Sequence, residues 1–361
     1  MTTFRATLAL LTTGTLLLTA CGGTGSGSGA TTAAQAPGGA CKPEEVKLIG
    51  QVRNQTNPYE AAWLQGGDEF AKKVSLTQQR LTYDGESAKQ QEQIRQVLAT
   101  GNVRCSVLNV LPNGDSDTTP IVKQAQAAGA YVVTQWNKPA DLKPADYDKW
   151  IAHITYDGKE SGKQIAHALI TAIGGNGGIV ALQGILDTAA AKDRFAGLQA
   201  ALAEHPEVTL LDQQTADFDR AKALTLTKTL LTKHGDAIKG IWAANDDMAL
   251  GALQALEAAG KSGKVAVVGI DAVPDAIKAV SGGTMTATVS SDGPWQGGIG
   301  LAMGYCAATG QLDVSTIPTR AFFAKQFLIT KDNAAQFATP KVDPAEFECA
   351  NLFKRATGPI S

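Results

Sequence analysis

From Val46 onward the chain alternates short aliphatic and β-branched runs with longer stretches whose apolar positions recur every three or four residues. The runs cover 46–52, 80–83, 105–110, 131–134, 179–182, 208–211, 240–243 and 265–270. Alternation of this kind predicts an α/β fold of parallel strands joined by helices. The intervening stretches carry helix punctuation. Ser87-Ala88-Lys89-Gln90 reads as a capping box, Ile94, Val97 and Leu98 form an apolar stripe, and Gly101 closes the segment. A second helix is expected from Asn245 or Asp246 to Gly260, with Leu250, Leu253 and Leu256 facing inward. Two successive sets of such units fit two similar lobes better than one very wide sheet, with a boundary near Tyr156-Asp157-Gly158. The polar stretch between Gln135 and Ile151 is expected as a surface loop near that junction.

The first 40 residues break the pattern. They hold a single charge, Arg5, and 8 of the 38 glycines. Arg5, the apolar run from Ala6 to Leu18 and the small residues before Cys21 have the form of a secretory signal over residues 1–20. The run is too short to span a bilayer comfortably. A small residue directly before a cysteine resembles a bacterial lipobox, in which Cys21 receives lipid such as palmitate and becomes the new N-terminus. The alternative is ordinary cleavage with Cys21 left as a chance thiol. Residues 21–40, rich in Gly, Ser, Thr and Ala, offer nothing to bury and read as a flexible tether.

Composition narrows the remainder. With 44% hydrophobic and 18% charged residues, and 32 basic against 34 acidic side chains, the balance is globular. No basic groove for nucleic acid is expected. Among the five cysteines no C-x-x-C pair appears, and the four histidines form no H-x-x-x-H pair, so no metal or cofactor is assigned. Export would favour pairing of Cys41, Cys105, Cys306 and Cys349. Three connectivities are possible. Position favours 41 with 105 and 306 with 349, the first closure contributing about 4 kcal/mol in the chain-entropy model. Four buried free thiols are the alternative.

In open parallel sheets, ligands bind beyond the carboxyl ends of the strands. The residues there are Asn54 to Tyr59, Gln135-Trp136-Asn137, Asn245-Asp246-Asp247 and Asp271, with Asp193-Arg194 a little after the run 179–182. Amide, carboxylate and guanidinium groups bond adjacent hydroxyls in pairs, and flat rings cover the C–H face of a sugar or polyol. Singly, each has a plainer role: Asn57 and Asn245 as helix caps, Asp271 as a turn residue, Arg194 in an ion pair. Enzyme signatures are missing, since the sequence has no G-x-S-x-G elbow or Walker loop and no nucleophile partnered with a histidine. Gly174-Gly175-Asn176-Gly177-Gly178 precedes a strand rather than following one, so it reads as a turn.

At these residues the chain resembles the bacterial periplasmic sugar-binding proteins of the ribose-binding type, which share a fold with the effector domains of the lactose-repressor family. The segments that carry the resemblance are Asn57-Pro58-Tyr59, Ala181 to Ile185 with Ala190 to Arg194, Ala216 to Arg220, Ala244 to Ala252 and Val268 to Asp271. The resemblance implies two doubly wound parallel-sheet lobes joined by a three-strand hinge. It places the first lobe at 41–156 with 291–326, the second at 157–290 with 327–340, and a C-terminal tail at 341–361. It further implies that Asn57, Arg194, Asn245 and Asp271 bond ligand hydroxyls and that Tyr59 and Phe218 stack on the ligand. Ser291 falls where the family has a ligand-binding glutamine. The family's Asp-Arg pair is Trp136-Asn137 here, and Leu111 stands for an asparagine before Pro112. These changes suggest more apolar contact, so another pentose, a hexose or a sugar alcohol fits as readily as ribose. The expectation is a monomeric, lipid-anchored, extracytoplasmic solute-binding protein without catalysis, delivering its sugar or polyol to an ABC transporter permease. A ligand-presenting sensor for a membrane receptor and a secreted carbohydrate-active enzyme are the alternatives.

Overall fold

The computed structural model describes residues 39–339 and 342–360, and residues 40–361 form one compact unit. The signal at 1–20, Cys21 and the tether to residue 38 lie outside the described residues.

The chain runs β1 (Lys47–Val52), α1 (Pro58–Lys73), β2 (Gln78–Thr82), α2 (Ser87–Leu98), β3 (Ser106–Val110), α3 (Asp115–Ala128), β4 (Tyr131–Gln135) and β5 (Trp150–Thr155). It continues with α4 (Gly158–Ala172), β6 (Gly177–Gln183), α5 (Ala189–Glu204), β7 (Val208–Thr215), α6 (Arg220–His234), β8 (Ile238–Ala243), α7 (Asp246–Ala258), β9 (Ala266–Asp271), α8 (Pro274–Ser281) and β10 (Ala287–Ser290). Helix α9 (Gly293–Ala308) and strands β11 (Ala321–Ala324), β12 (Leu328–Thr330) and β13 (Ala356–Pro359) complete it. Two sheets result, with strand orders β13-β11-β5-β4-β3-β1-β2 and β12-β10-β9-β8-β6-β7. Only the edge strands β13 and β12 run antiparallel to their neighbours. No helix among the described residues is long and apolar enough to cross a membrane.

Both faces of the first sheet are buried, as parallel sheets require. Successive residues alternate between the faces: Ile49, Leu108 and Val132 pack with Ile94, Val97, Ile121 and Val122 of α2 and α3. Leu48, Val107 and Val133 point the other way, into the core that also holds Trp63 of α1 and Ile299 and Leu301 of α9. Helices α1 and α9 approach so closely that a Cβ on Gly297 would sit 1.7 Å from the Trp63 carbonyl oxygen. Cys41 is joined to Cys105 and Cys306 to Cys349.

Three features depart from the sequence reading. The stretch expected as an irregular loop ends in β5, a central strand of the first sheet whose Trp150 and Ile151 are fully buried. Its polar approach, Lys143 to Lys149, hides the strand from a hydropathy pattern. Ser87 is not a cap: Glu86 holds the N-cap position of α2, and the Ser87 hydroxyl instead donates to Asp117 at 2.8 Å. Leu253 is only half-buried, whereas Leu250 and Leu256 are buried.

The chain passes between the sheets at Tyr156-Asp157, again at Ser291-Asp292, and again between β11 and β12. The described segment 342–360 is more than a tail: it packs on α1 and α9, is tied by Cys349 and contains β13 on the edge of the first sheet.

Candidate functional site

Helix caps and cleft residues come from the same places, the turns that follow the strands. Asn57 accepts the Tyr59 and Glu60 N–H groups to start α1, and Asn245 accepts the Met248 N–H to start α7. Both also line a narrow cleft between the lobes, together with Arg53, Tyr59, Glu60, Leu111, Trp136, Asn137, Thr188, Ala190, Arg194, Phe218 and Asp271. The plain role and the cleft role therefore coincide. In each residue one atom holds the fold and another is left over: the Asn57 amide nitrogen reaches across to the Phe218 carbonyl at 3.4 Å.

Arg194 is the centre of the site. Its Nη1 donates to the Ala244 carbonyl at 2.6 Å, and its Nη2 lies 3.5 Å from Asp271 Oδ1. Its guanidinium stands 4.8 Å from the centre of the Trp136 ring and 5.9 Å from that of Phe218, within cation–π range. Helix α5 brings it there because α4 yields space. A Cβ on Gly162 would fall 2.0 Å from the Arg194 carbonyl oxygen, so only glycine permits this approach.

The aromatic wall is cross-linked. Trp136 Nε1 donates to the Tyr59 hydroxyl at 2.8 Å, that hydroxyl donates to Gln296, and Tyr156 packs behind Trp136 at 5.4 Å. Three cleft residues have positive φ without being glycine: Trp136 at 67°, Phe218 at 59° and Asp271 at 129°. Such backbone costs about 1–3 kcal/mol each and persists where the surroundings over-determine it, commonly at ligand sites.

Two buried polar atoms in this wall have no hydrogen-bond partner, Asn137 Oδ1 and Arg194 Nε. Asn137 uses its nitrogen on the Pro112 carbonyl at 2.8 Å, which leaves the oxygen as an acceptor. Burial also perturbs the carboxyls. Asp271 is pushed up to about 7, chiefly by desolvation and against the pull of Arg194. Half-buried Glu60 is likewise pushed up to about 7 by burial, although its carboxylate accepts the Asn54 N–H at 2.8 Å.

The structure brings together Asn57, Tyr59, Trp136, Asn137, Arg194, Phe218, Asn245 and Asp271. It does not bring Ser291 to the cleft wall. Ser291 sits behind Asp271, its N–H donating to the Asp271 carbonyl at 3.3 Å and its hydroxyl bonding the carboxylate, and it faces a separate cavity on the hinge side. Its hydroxyl is taken up by the Asp271 carboxylate instead. Arg53 and Glu60 were missed, since a charged residue after a strand and an acid in a first helical turn are ordinarily solvated or complement the helix dipole. Their signal was adjacency to β1 and to Asn57.

A polar, aromatic-walled cleft at the strand ends of two doubly wound lobes defines a solute-binding protein. The chain belongs to the periplasmic binding protein family: residues 52–312 match the model of the periplasmic binding protein domain. It is 34% identical over 239 residues to the ribose import binding protein of Escherichia coli (strain K12), covering 66% of this chain and 77% of that protein. It is 30% identical over 289 residues to the xylitol-binding protein of Mycolicibacterium smegmatis, covering 80% and 78%. The crystal structure of a twin-arginine translocation pathway signal protein from Burkholderia phytofirmans superposes with a TM-score of 0.83 at 41% identity, covering 87% of this chain and 98% of that one. The ribose and xylitol relatives are binding proteins of solutes, and this chain, a member of the same family, is a binding protein and not an enzyme.

Proposed function

We propose that this chain captures a neutral sugar or sugar alcohol between its lobes and delivers it, from the outer face of the cell membrane, to an ABC importer permease. The observation that carries the reading is the pair of unpartnered buried atoms, Asn137 Oδ1 and Arg194 Nε, in one aromatic-walled cleft. A hydroxyl donates once and accepts through its lone pairs, so a polyhydroxylated solute satisfies both. An uncharged solute is favoured because Arg194 already faces Asp271. The import and sugar-binding names of the relatives support the same reading. The residues assigned to the ligand are Asn57, Tyr59, Trp136, Asn137, Arg194, Phe218, Asn245 and Asp271, with Arg53 and Glu60 added at one end.

The lobes close about the segments that pass between them, burying hydroxyls where each bond to a charged group contributes about 1.5–3 kcal/mol. Cys21 carries the lipid that keeps the folded body at the membrane. Isothermal titration of the body against D-ribose, xylitol, D-allose and myo-inositol tests the reading, and silence across neutral sugars and polyols would defeat it. Labelled palmitate taken up by wild type but not by Cys21→Ala tests the anchor.

A further inference from the structure

Beside the cleft, Gly114 to Ser116 at the start of α3 meets Asp187 to Lys192 at the start of α5, the one segment in the first lobe and the other in the second. The Asp115 N–H donates to the Asp187 carbonyl at 3.0 Å. In return the Ala189 N–H donates to Asp115 Oδ1 at 2.9 Å, and Lys192 Nζ donates to Oδ2 at 2.8 Å. The Ser116 hydroxyl donates to Asp187 Oδ2 at 3.0 Å. A Cβ at residue 114 would lie 2.7 Å from Asp187 Oδ2 and 2.9 Å from its carbonyl oxygen, so the two backbones meet only because Gly114 lacks one. Both Asp115 oxygens are thus engaged from the opposite lobe, at the positive end of α5. Asp115 does not line the cleft, whereas Thr188, Ala190 and Arg194 of the segment it grips do.

We propose that Asp115 is the latch of lobe closure, a positioning residue that sets affinity for every solute without touching any, by holding the start of α5, and with it Arg194, against the first lobe. The proposal rests on the cleft being the solute site. Bonds that exist only when the lobes meet contribute to the closed state alone, and apparent affinity scales with the population of the binding-competent state. Loss of the latch therefore divides all affinities by one factor. A residue in contact with the solute would instead change their ratios.

Two measurements on full-length protein test this. Titration of Asp115→Ala and Asp115→Asn with D-ribose, xylitol, D-allose and myo-inositol should show every solute that binds wild type weakened by a common factor of at least fivefold for Asp115→Ala, expressed as faster dissociation. Asp115→Asn, which keeps an acceptor for the Ala189 N–H, should lose less. Small-angle scattering of solute-free protein should show a larger radius of gyration for Asp115→Ala than for wild type. Unequal losses among solutes, or unchanged affinity together with unchanged scattering, would overturn the latch. If Asp115→Ala does not fold, Lys192→Ala and Asp115→Asn take its place in both measurements. If no solute binds wild type, the scattering comparison alone decides the latch, and the failure falls on the ligand reading.

Discussion

Arg194 and Asp271 face each other at 3.5 Å with 4% and 6% of their side-chain surfaces exposed. They come from different elements of the same lobe, α5 and the end of β9. Truncating Arg194 removes its bond to the Ala244 carbonyl, its contact with Asp271 and its packing on Trp136. Arg194→Ala is therefore expected to weaken solute binding at least tenfold and to lower the urea midpoint. Arg194→Lys should not restore binding, because an ammonium cannot reach Ala244, Asp271 and the Trp136 face together. Titration and urea denaturation of the two variants check this.

Trp136 is the tryptophan in the cleft wall. Trp63, Trp150, Trp242 and Trp295 are fully buried elsewhere in the core. Solute binding should change intrinsic fluorescence through Trp136, and Trp136→Phe should abolish most of that change. The same variant removes the donor to Tyr59, so binding weakens as well. Stopped-flow fluorescence on wild type and variant gives both results.

Stability should fall as pH rises toward 8. Asp246 is fully buried, accepting the Thr288 hydroxyl at 2.8 Å and the Val273 N–H at 3.0 Å, and burial pushes it up to about 8. An unfolded aspartate titrates near about 3.9. Between these values the folded chain holds a proton that the unfolded chain releases, so the Asp246 contribution is complete below the unfolded value and is lost as pH climbs through the folded one. Asp271 and Glu60, both pushed up to about 7, act in the same sense. Denaturation midpoints measured from pH 4 to 9 should decline, and Asp246→Asn should flatten the decline.

Gly162→Ala should damage binding from a distance. The added methyl would meet the Arg194 carbonyl oxygen at 2.0 Å, which forces α5 away from α4. Overpacking of this kind costs about 1–3 kcal/mol. Weaker binding and a lower melting temperature are expected together. Gly358→Ala, with nothing within 4 Å of its Cβ, should match wild type in both assays.

Much of this molecule is legible in its sequence, for identifiable reasons. Strands such as β6 and β9 are buried on both faces and so appear as largely apolar runs. Residues after a strand cap a helix or meet a ligand, which is why Asn57, Asn245 and Asp271 stand out in the chain; Arg194, inside α5, stands out by resemblance. What escaped depends on three-dimensional neighbours. Strand β5 follows a charged approach and contains His153, whose burial holds its ring neutral by pushing it down to about 3, so its sequence looks more polar than its surroundings. Arg53 and Glu60 differ from surface charges only in what lies opposite them. Ser291 follows a strand like the others, but Asp271 stands between it and the cleft. The interlobe contacts of Asp115 join residues more than 70 positions apart and leave no local trace.

Cys41 is bound to Cys105 and β13 closes the edge of the first sheet, so the described fold begins and ends in the same lobe. Among the described residues the second lobe holds neither the first nor the last. A surface, resin or fusion partner attached at Cys41's end of the fold or beyond β13 is therefore expected to grip the first lobe and leave the second free. Immobilisation through either end of the described fold is expected to report the same solute affinity as free solution, because neither tether would oppose closure of the second lobe on the first.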